Sequence, residues 1–338
     1  MLAPMGGGPS TPELVAAVSG AGGLGWLAGA YLSPRQILEQ VAEVRRRTYR
    51  PFGINLFTGG WSCDAGAADI GPMLELLRVA HERLGIEPPA LPEIPEDPFP
   101  AQLAAVLEAR PAAFSFTFGI PVASEIKALR SAGIMVFGTA TTVSEALLLT
   151  RAEVDAIVAQ GEEAGAHRGT FELSFEDSLV TTLDLTRAAA DTTGLPVVAA
   201  GGLMNGADIA RVLAAGAAAG LLGTAFLTCP ECGAAPAHKE AVLAARTDTT
   251  TLTRAFSGRP ARGLRNGFIV AVDGEGAPIP PYPFQNALTR PMRNAASARG
   301  LADYLSLWAG RGVCRARAPM PAKDLTRVLA DELHAALI

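Results

Sequence analysis

Cysteine is scarce: four residues in 338, Cys63, Cys229, Cys232 and Cys314, cannot build the disulfide framework of a small secreted domain. Cys229-Pro-Glu-Cys232 has the spacing of a metal or redox pair. No second CxxC and no paired histidines accompany it, so it reads as structural and no metal site is expected. No basic run stands out, and a formal charge of −5 leaves no electrostatic footprint for nucleic acid. No apolar run reaches the roughly 18–20 uncharged residues that a membrane span needs. The first residues carry no basic stretch leading into an apolar one, which predicts a cytoplasmic protein. What the chain has is apolar bulk. With 49 % apolar and 18 % charged residues it can bury a large core, as one domain or two.

Short strand-like runs alternate with helical stretches up to about Gly223. Candidate strands are Met1–Pro4, Leu24–Leu27, Phe52–Phe57, Ala112–Phe116, Ile134–Gly138, Val154–Val158, Val197–Ala200 and Ala218–Leu222. Helix starts lie between them: Ser10-Thr11-Pro12 and Ser33-Pro34 each put a hydroxyl N-cap before a first-turn proline, and Asn205-Gly206 opens another. Eight strands, each followed by a helix, predict an α/β fold of the (β/α)8 TIM-barrel type. The short first run is the weak point of barrel closure. An insertion at about 58–97 follows the third candidate strand, with a helix over Met73–Leu84 and a proline-rich stretch, Pro88–Pro98. We expect residues 1–228 to form the barrel and 229–338 a smaller cap over the strand ends, closing on a helix over Ala322–Leu337.

In such a barrel the C-terminal strand ends carry the chemistry. Gly201-Gly202 and Gly223-Thr224 stand at the seventh and eighth ends, where free backbone N–H groups bind phosphate. Asn55 and Gln160 are amides able to donate and accept along the edge of a flat heteroaromatic ring, and the Ala3–Gly8 turn leaves room for one. Asn55 would also serve as a cap of the turn into the insertion. Flavin fits this set, and a single phosphate site suits FMN. His167, between Gly165 and Gly169, belongs to a loop that can bring an imidazole to the barrel mouth as a general base. Of the other three histidines, His81 beside Glu82 and Arg83 reads as a solvated helix face. His238 and His334 carry no local signal.

Several segments now combine: APMGGGPSTPELVAAVSGAGGLG at 3–25, PFGINLF at 51–57, VAQGEEAGAHRG at 158–169 and PVVAAGGLMNGADIARVLAAGA at 196–217, followed by LLGTAFL at 221–227 and YLSLWAGRG at 304–312. Over nearly its whole length the chain resembles the nitronate monooxygenases, formerly called 2-nitropropane dioxygenases. The resemblance implies FMN held by the Ala3-Pro4-Met5 backbone, Asn55, Gln160, Gly165, Gly202 and the turn Leu221, Leu222, Gly223, Thr224, with His167 as catalytic base. The implied reaction takes an alkyl nitronate and O2 to a carbonyl compound and nitrite, with neutral nitroalkanes as further substrates. Three residues depart from the family pattern: Ala166 stands where glycine is usual, and Leu221 and Arg311 each replace a glutamine. Arg311 would set a cation near the cap and retune substrate preference. Two rivals remain, an NAD(P)H-dependent enoyl-acyl-carrier-protein reductase on the same FMN barrel and a non-catalytic FMN-binding protein. Association into a homo-oligomer is left open.

Overall fold

The computed structural model describes residues 1–61, 69–94 and 96–338. Cys63 and part of the predicted insertion lie outside them. Seven parallel strands form one curled sheet: β1 (Gly25–Ala28), β2 (Phe52–Phe57), β3 (Ala113–Thr117), β4 (Met135–Ala140), β5 (Ala156–Gln160), β7 (Val197–Ala200) and β8 (Ala219–Leu221), paired in that order. The eighth position is filled by an isolated parallel bridge between Leu2 and Leu222. Leu2 donates to the Leu24 carbonyl at 3.0 Å and Ala3 to the Leu222 carbonyl at 2.8 Å, joining the two edges of the sheet. The expected strand Met1–Pro4 is thus reduced to a bridge. Pro4 has no N–H to extend the ladder, and the chain turns at Gly6.

Side chains divide by strand period. On β2, Phe52, Ile54 and Leu56 face the surrounding helices, while Gly53, Asn55 and Phe57 face the barrel interior. The lower interior is apolar, with Trp26, Ala113, Phe137, Ala156, Val158, Val198 and Leu221 packed together. One layer higher, in phase with these residues, stand Asn55, Ser115, Thr117, Thr139 and Gln160. Polar side chains therefore floor the upper barrel because they keep the inward phase of apolar strands.

The helices start as their sequences dictate. Ser33 and Gln36 close a capping box on Pro34–Arg47, with bonds of 3.3 and 2.9 Å. Thr11 caps Pro12–Gly20 and Asn205 caps Gly206–Ala214. In the insertion the helix spans Gly71–Arg83. Its residue His81 is buried, which corrects the expectation of a solvated face. Met73, Leu77 and Leu84 share its stripe at helical spacing, and its Nδ1 meets the Glu87 carbonyl at 2.6 Å. Among the described residues no helix is long and apolar enough to cross a membrane.

A second, antiparallel sheet joins the loop after β5 to the tail: β6 (Ala166–His167), β9 (Thr250–Thr253) and β10 (Ala261–Leu264), in the order β6-β10-β9. The final helix, Ala322–Leu337, returns to the barrel wall against Gly206–Ala214 and Pro12–Gly20. Cys229 and Cys232 are buried thiols, and burial pushes the Cys229 thiol up to about 12, so it is no nucleophile at neutral pH.

A Cβ added at Gly53 would land on the ring of Trp26. Gly53→Ala should therefore overpack the barrel floor and cost about 1–3 kcal/mol. Urea unfolding followed by tryptophan fluorescence checks this; an unchanged midpoint would mean that Trp26 has a second rotamer available.

Candidate active site

A cavity of about 360 Å³ opens at the C-terminal ends of the barrel strands, within the roughly 300–1,000 Å³ typical of ligand sites. Ala3, Pro4, Met5, Asn55, Gln160, Gly165, His167, Gly201, Gly202, Leu221, Gly223 and Thr224 all line it. Leu222 does not. Its backbone is engaged in barrel closure, its N–H on the Met1 carbonyl and its carbonyl on Ala3.

Asn55 donates to Ser115 Oγ at 2.9 Å, and Thr117 and Thr139 hydroxyls meet at 3.3 Å beside it. Gln160 spends its amide on the histidine loop: Nε2 donates to the His167 carbonyl at 2.9 Å, and Oε1 accepts from Gly169 N–H at 2.7 Å. Behind the loop, fully buried Arg168 donates from Nη1 to the Gln160 and Gly161 carbonyls and from Nη2 to Ser178. The next span is held by Glu145, also fully buried. One of its oxygens accepts from Thr170 Oγ1 and from Phe171 and Glu172 N–H, the other from Thr141 N–H and Oγ1.

His167 itself is strand-paired, opposite Ala261 of β10. Its ring lies among those of Phe57, Phe118, Tyr282 and Trp308, with centroids 5.7–6.3 Å away. Nε2 lies 2.8 Å from Ser257 Oγ. Burial, reinforced by Arg259 and Arg293, pulls the imidazole down to about 3, so it is neutral at physiological pH. Phe118 reaches this box with φ of 82°, a strained conformation for an aromatic residue, and the Arg259 guanidinium stacks over its ring, 3.8 Å from the centroid. Arg293, in the helix Arg290–Arg299, is held by Thr289 Oγ1 and by the Asn286 carbonyl and Oδ1. No carboxylate among the described residues pairs with it.

The tail motif crosses the cavity as a strap. Gly310 N–H donates to Thr224 Oγ1 at 2.9 Å, and a Cβ on Gly165 would meet the Ala309 backbone at 2.6 Å, so loop and strap touch through glycine. Arg311, expected as a cation near the cap, does not line the cavity. Its side chain leaves the cavity for Glu162 at 2.8 Å and Asp248 at 3.6 Å, fastening the strap from outside. His238 was without local signal, yet it is buried against the strap, lines the cavity and bonds the Trp308 carbonyl at 3.1 Å. Ser257, Glu145, Arg168 and Arg293 were also missed. The adjacency of Arg168 to His167 and the Gly258–Gly263 loop were the available signals.

A family model described as nitronate monooxygenase matches residues 1–332. The chain belongs to the nitronate monooxygenase family. It is 44 % identical to a nitronate monooxygenase of Pseudomonas aeruginosa, over 97 % of this chain and 94 % of that one. A nitroalkane oxidase structure from Streptomyces ansochromogenes superposes with a TM-score of 0.92 at 41 % identity, covering 100 % of this chain and 96 % of the other. FabK from Thermotoga maritima shares the fold at a TM-score of 0.77 and 25 % identity, covering 99 % and 92 %. As a nitronate monooxygenase relative the chain is an oxidoreductase.

Glu145→Gln would turn an amide N–H₂ toward donors that now find a carboxylate oxygen. It should lower unfolding free energy by roughly 2–4 kcal/mol, read as a lower urea midpoint. An unchanged midpoint would show that this buried network contributes no net stability.

Proposed function

We propose that the chain is an FMN-dependent enzyme that converts alkyl nitronates and O2 to carbonyl compounds and nitrite, with His167 as its catalytic base. The observation that carries the reading is a neutral imidazole enclosed by four aromatic rings, beside the half-buried arginines Arg259 and Arg293. A proton-abstracting site needs the first feature, and a nitronate anion is favoured by the second.

The cavity rim supports a phosphate-bearing cofactor. Gly223 has an ordinary φ of −109°, and a Cβ there would find only Ala3 Cβ at 3.5 Å and Met5 Sδ at 3.7 Å. The fold leaves space at that position, which suits close approach of a ligand. Thr224 Oγ1 accepts from Gly310, which leaves its own hydrogen to donate, and the Gly202 carbonyl is drawn outward by Arg315 at 2.7 Å. In our reading Gly201, Gly202, Gly223 and Thr224 hold the phosphate. The Ala3-Pro4-Met5 backbone, Asn55, Gln160, Gly165 and Leu221 line the ring and its chain, and Leu222 shapes the turn. Absence of a GxGxxG fingerprint after a strand favours FMN over a dinucleotide. Bound FMN would supply the electron transfer that links nitronate to O2. The protein's own residues seat the substrate, exclude water through the aromatic box and strap, and move the proton.

The cofactor site and the base role are tested separately. The purified protein should be yellow and release FMN on denaturation, and Gly223→Asp should lose flavin while keeping its thermal transition, because a carboxylate there opposes the phosphate. Release of FAD, or full flavin content in the variant, overturns the cofactor site. His167→Asn should keep flavin and lose about 10²–10⁴ in rate on neutral nitroalkane, but far less on preformed nitronate, which has already shed the proton. Because the imidazole is depressed, the wild-type rate on nitroalkane should stay flat from about pH 8 to about pH 5 rather than fall through the ordinary histidine range. Equal losses on both substrates remove the base role. Bleaching of the flavin by NADH would favour a reductase.

A further inference from the structure

Ser257 sits in the turn after β9, with 2 % of its surface exposed, and its hydroxyl joins three partners. Oγ lies 3.1 Å from the Arg259 carbonyl, 3.3 Å from the Arg259 N–H and 2.8 Å from His167 Nε2. The carbonyl can only accept, and the N–H can only donate. The hydroxyl has one hydrogen and two acceptor positions. If that hydrogen goes to the Arg259 carbonyl, the oxygen accepts from Arg259 N–H and from a hydrogen on Nε2, and all three contacts are hydrogen bonds. If it goes instead to Nε2, the contact to the Arg259 carbonyl is lost, and the imidazole hydrogen must sit on Nδ1, for which no acceptor stands among the described residues. Ser257 is buried, so losing its hydrogen bond to the Arg259 carbonyl is costly.

We propose that Ser257 is a positioning residue that fixes His167 with its hydrogen on Nε2, so that Nδ1 is the atom that takes the substrate proton. This rests on the base role given to His167 above. In the step it describes, the carbon–hydrogen bond next to the nitro group breaks. Its electron pair stays on the substrate as the nitronate, and the proton forms the Nδ1–H bond. The imidazolium keeps its Nε2–H on Ser257, whose own hydrogen remains on the Arg259 carbonyl, so no heavy atom need move. The backbone of β6 sets ring position through its pairing with Ala261, and Ser257 sets which nitrogen is free.

The test uses holoprotein labelled with ring ¹⁵N-histidine, with the His167 signals assigned by their loss in His167→Asn. Near neutral pH the ring shifts should report hydrogen on Nε2; hydrogen on Nδ1 overturns the proposal. A second measurement uses Ser257→Ala. The free ring then samples both tautomers, and the rate on neutral nitroethane should fall roughly threefold to tenfold more than the rate on ethylnitronate, the range of one net hydrogen bond. FMN content should be unchanged. Equal losses on the two substrates overturn the proposal. Failure of the unmodified protein to turn over ethylnitronate is a different result. It defeats the proposed function, and with it the role given to Nδ1, whereas the NMR reading of the wild type addresses the tautomer alone.

Discussion

The pairing of Ala166 and His167 with Arg262 and Ala261 joins the barrel to the tail, and the cavity depends on it. A (β/α)8 barrel presents loops at its strand ends, and a loop alone leaves an imidazole free to wander. Here the chain between Gln160 and Thr170 is converted into a short strand and braced from three directions. Gln160 ties its two ends across the turn, Arg168 anchors it to backbone carbonyls below, and Glu145 gathers the amides that follow. The pairing partner is drawn from nearly a hundred residues downstream, so His167 is ordered only when both halves of the chain have folded. That is an expensive device in chain entropy, and it makes sense where a side chain must hold its position against a reacting atom.

The electrostatics follow from the same enclosure. Arg259 and Arg293 are half-buried, no carboxylate among the described residues pairs with either, and desolvation draws both down to about 10, still cationic at neutral pH. Their hydrogen bonds go to neutral oxygens, Thr170 for Arg259 and Thr289 and Asn286 for Arg293. Neutral acceptors satisfy geometry and leave the charge uncancelled. The site therefore holds positive potential next to a histidine that it keeps neutral. A cationic imidazole is disfavoured there and an anionic ligand is favoured, both by the same two side chains.

Much of this was legible in the sequence where the physics is local. Asn55 and Gln160 stand out because polar residues interrupt or end apolar runs at the inward phase, and strand period decides which way they point. The caps at Thr11, Ser33 and Asn205 were readable for the same reason. His81 misled because Glu82 and Arg83 are its neighbours in sequence, whereas on a helix its neighbours are Leu77 and Leu84. Ser257, Arg293 and the strands β9 and β10 were invisible for a deeper reason. Their roles come from pairings across long separations, and no short window of sequence carries a signal for a contact that only the closed fold creates.

The departures from the family pattern acquire physical meaning on this scaffold. Ala166 has φ of 63°, in the left-handed region. Glycine there meets a backbone requirement, and alanine meets it at a cost of about 1–2 kcal/mol. Ala166 still pairs with Arg262 and still delivers His167 into the aromatic box, so the strain falls on stability and leaves the placement of the ring intact. Arg311 likewise acts on the frame. Its guanidinium ties the strap to Glu162, one residue before the glutamate whose carbonyl accepts the Arg311 N–H, and to Asp248 ahead of β9. Strap, histidine loop and the β9–β10 hairpin therefore meet at a single exposed cation. Exposed ion pairs are individually weak, but this one spans the three segments that must stay together for the cavity to remain closed. Arg311 lies behind the cavity surface and bears on how firmly the site is held, whereas Ala166 and Leu221 line the cavity itself.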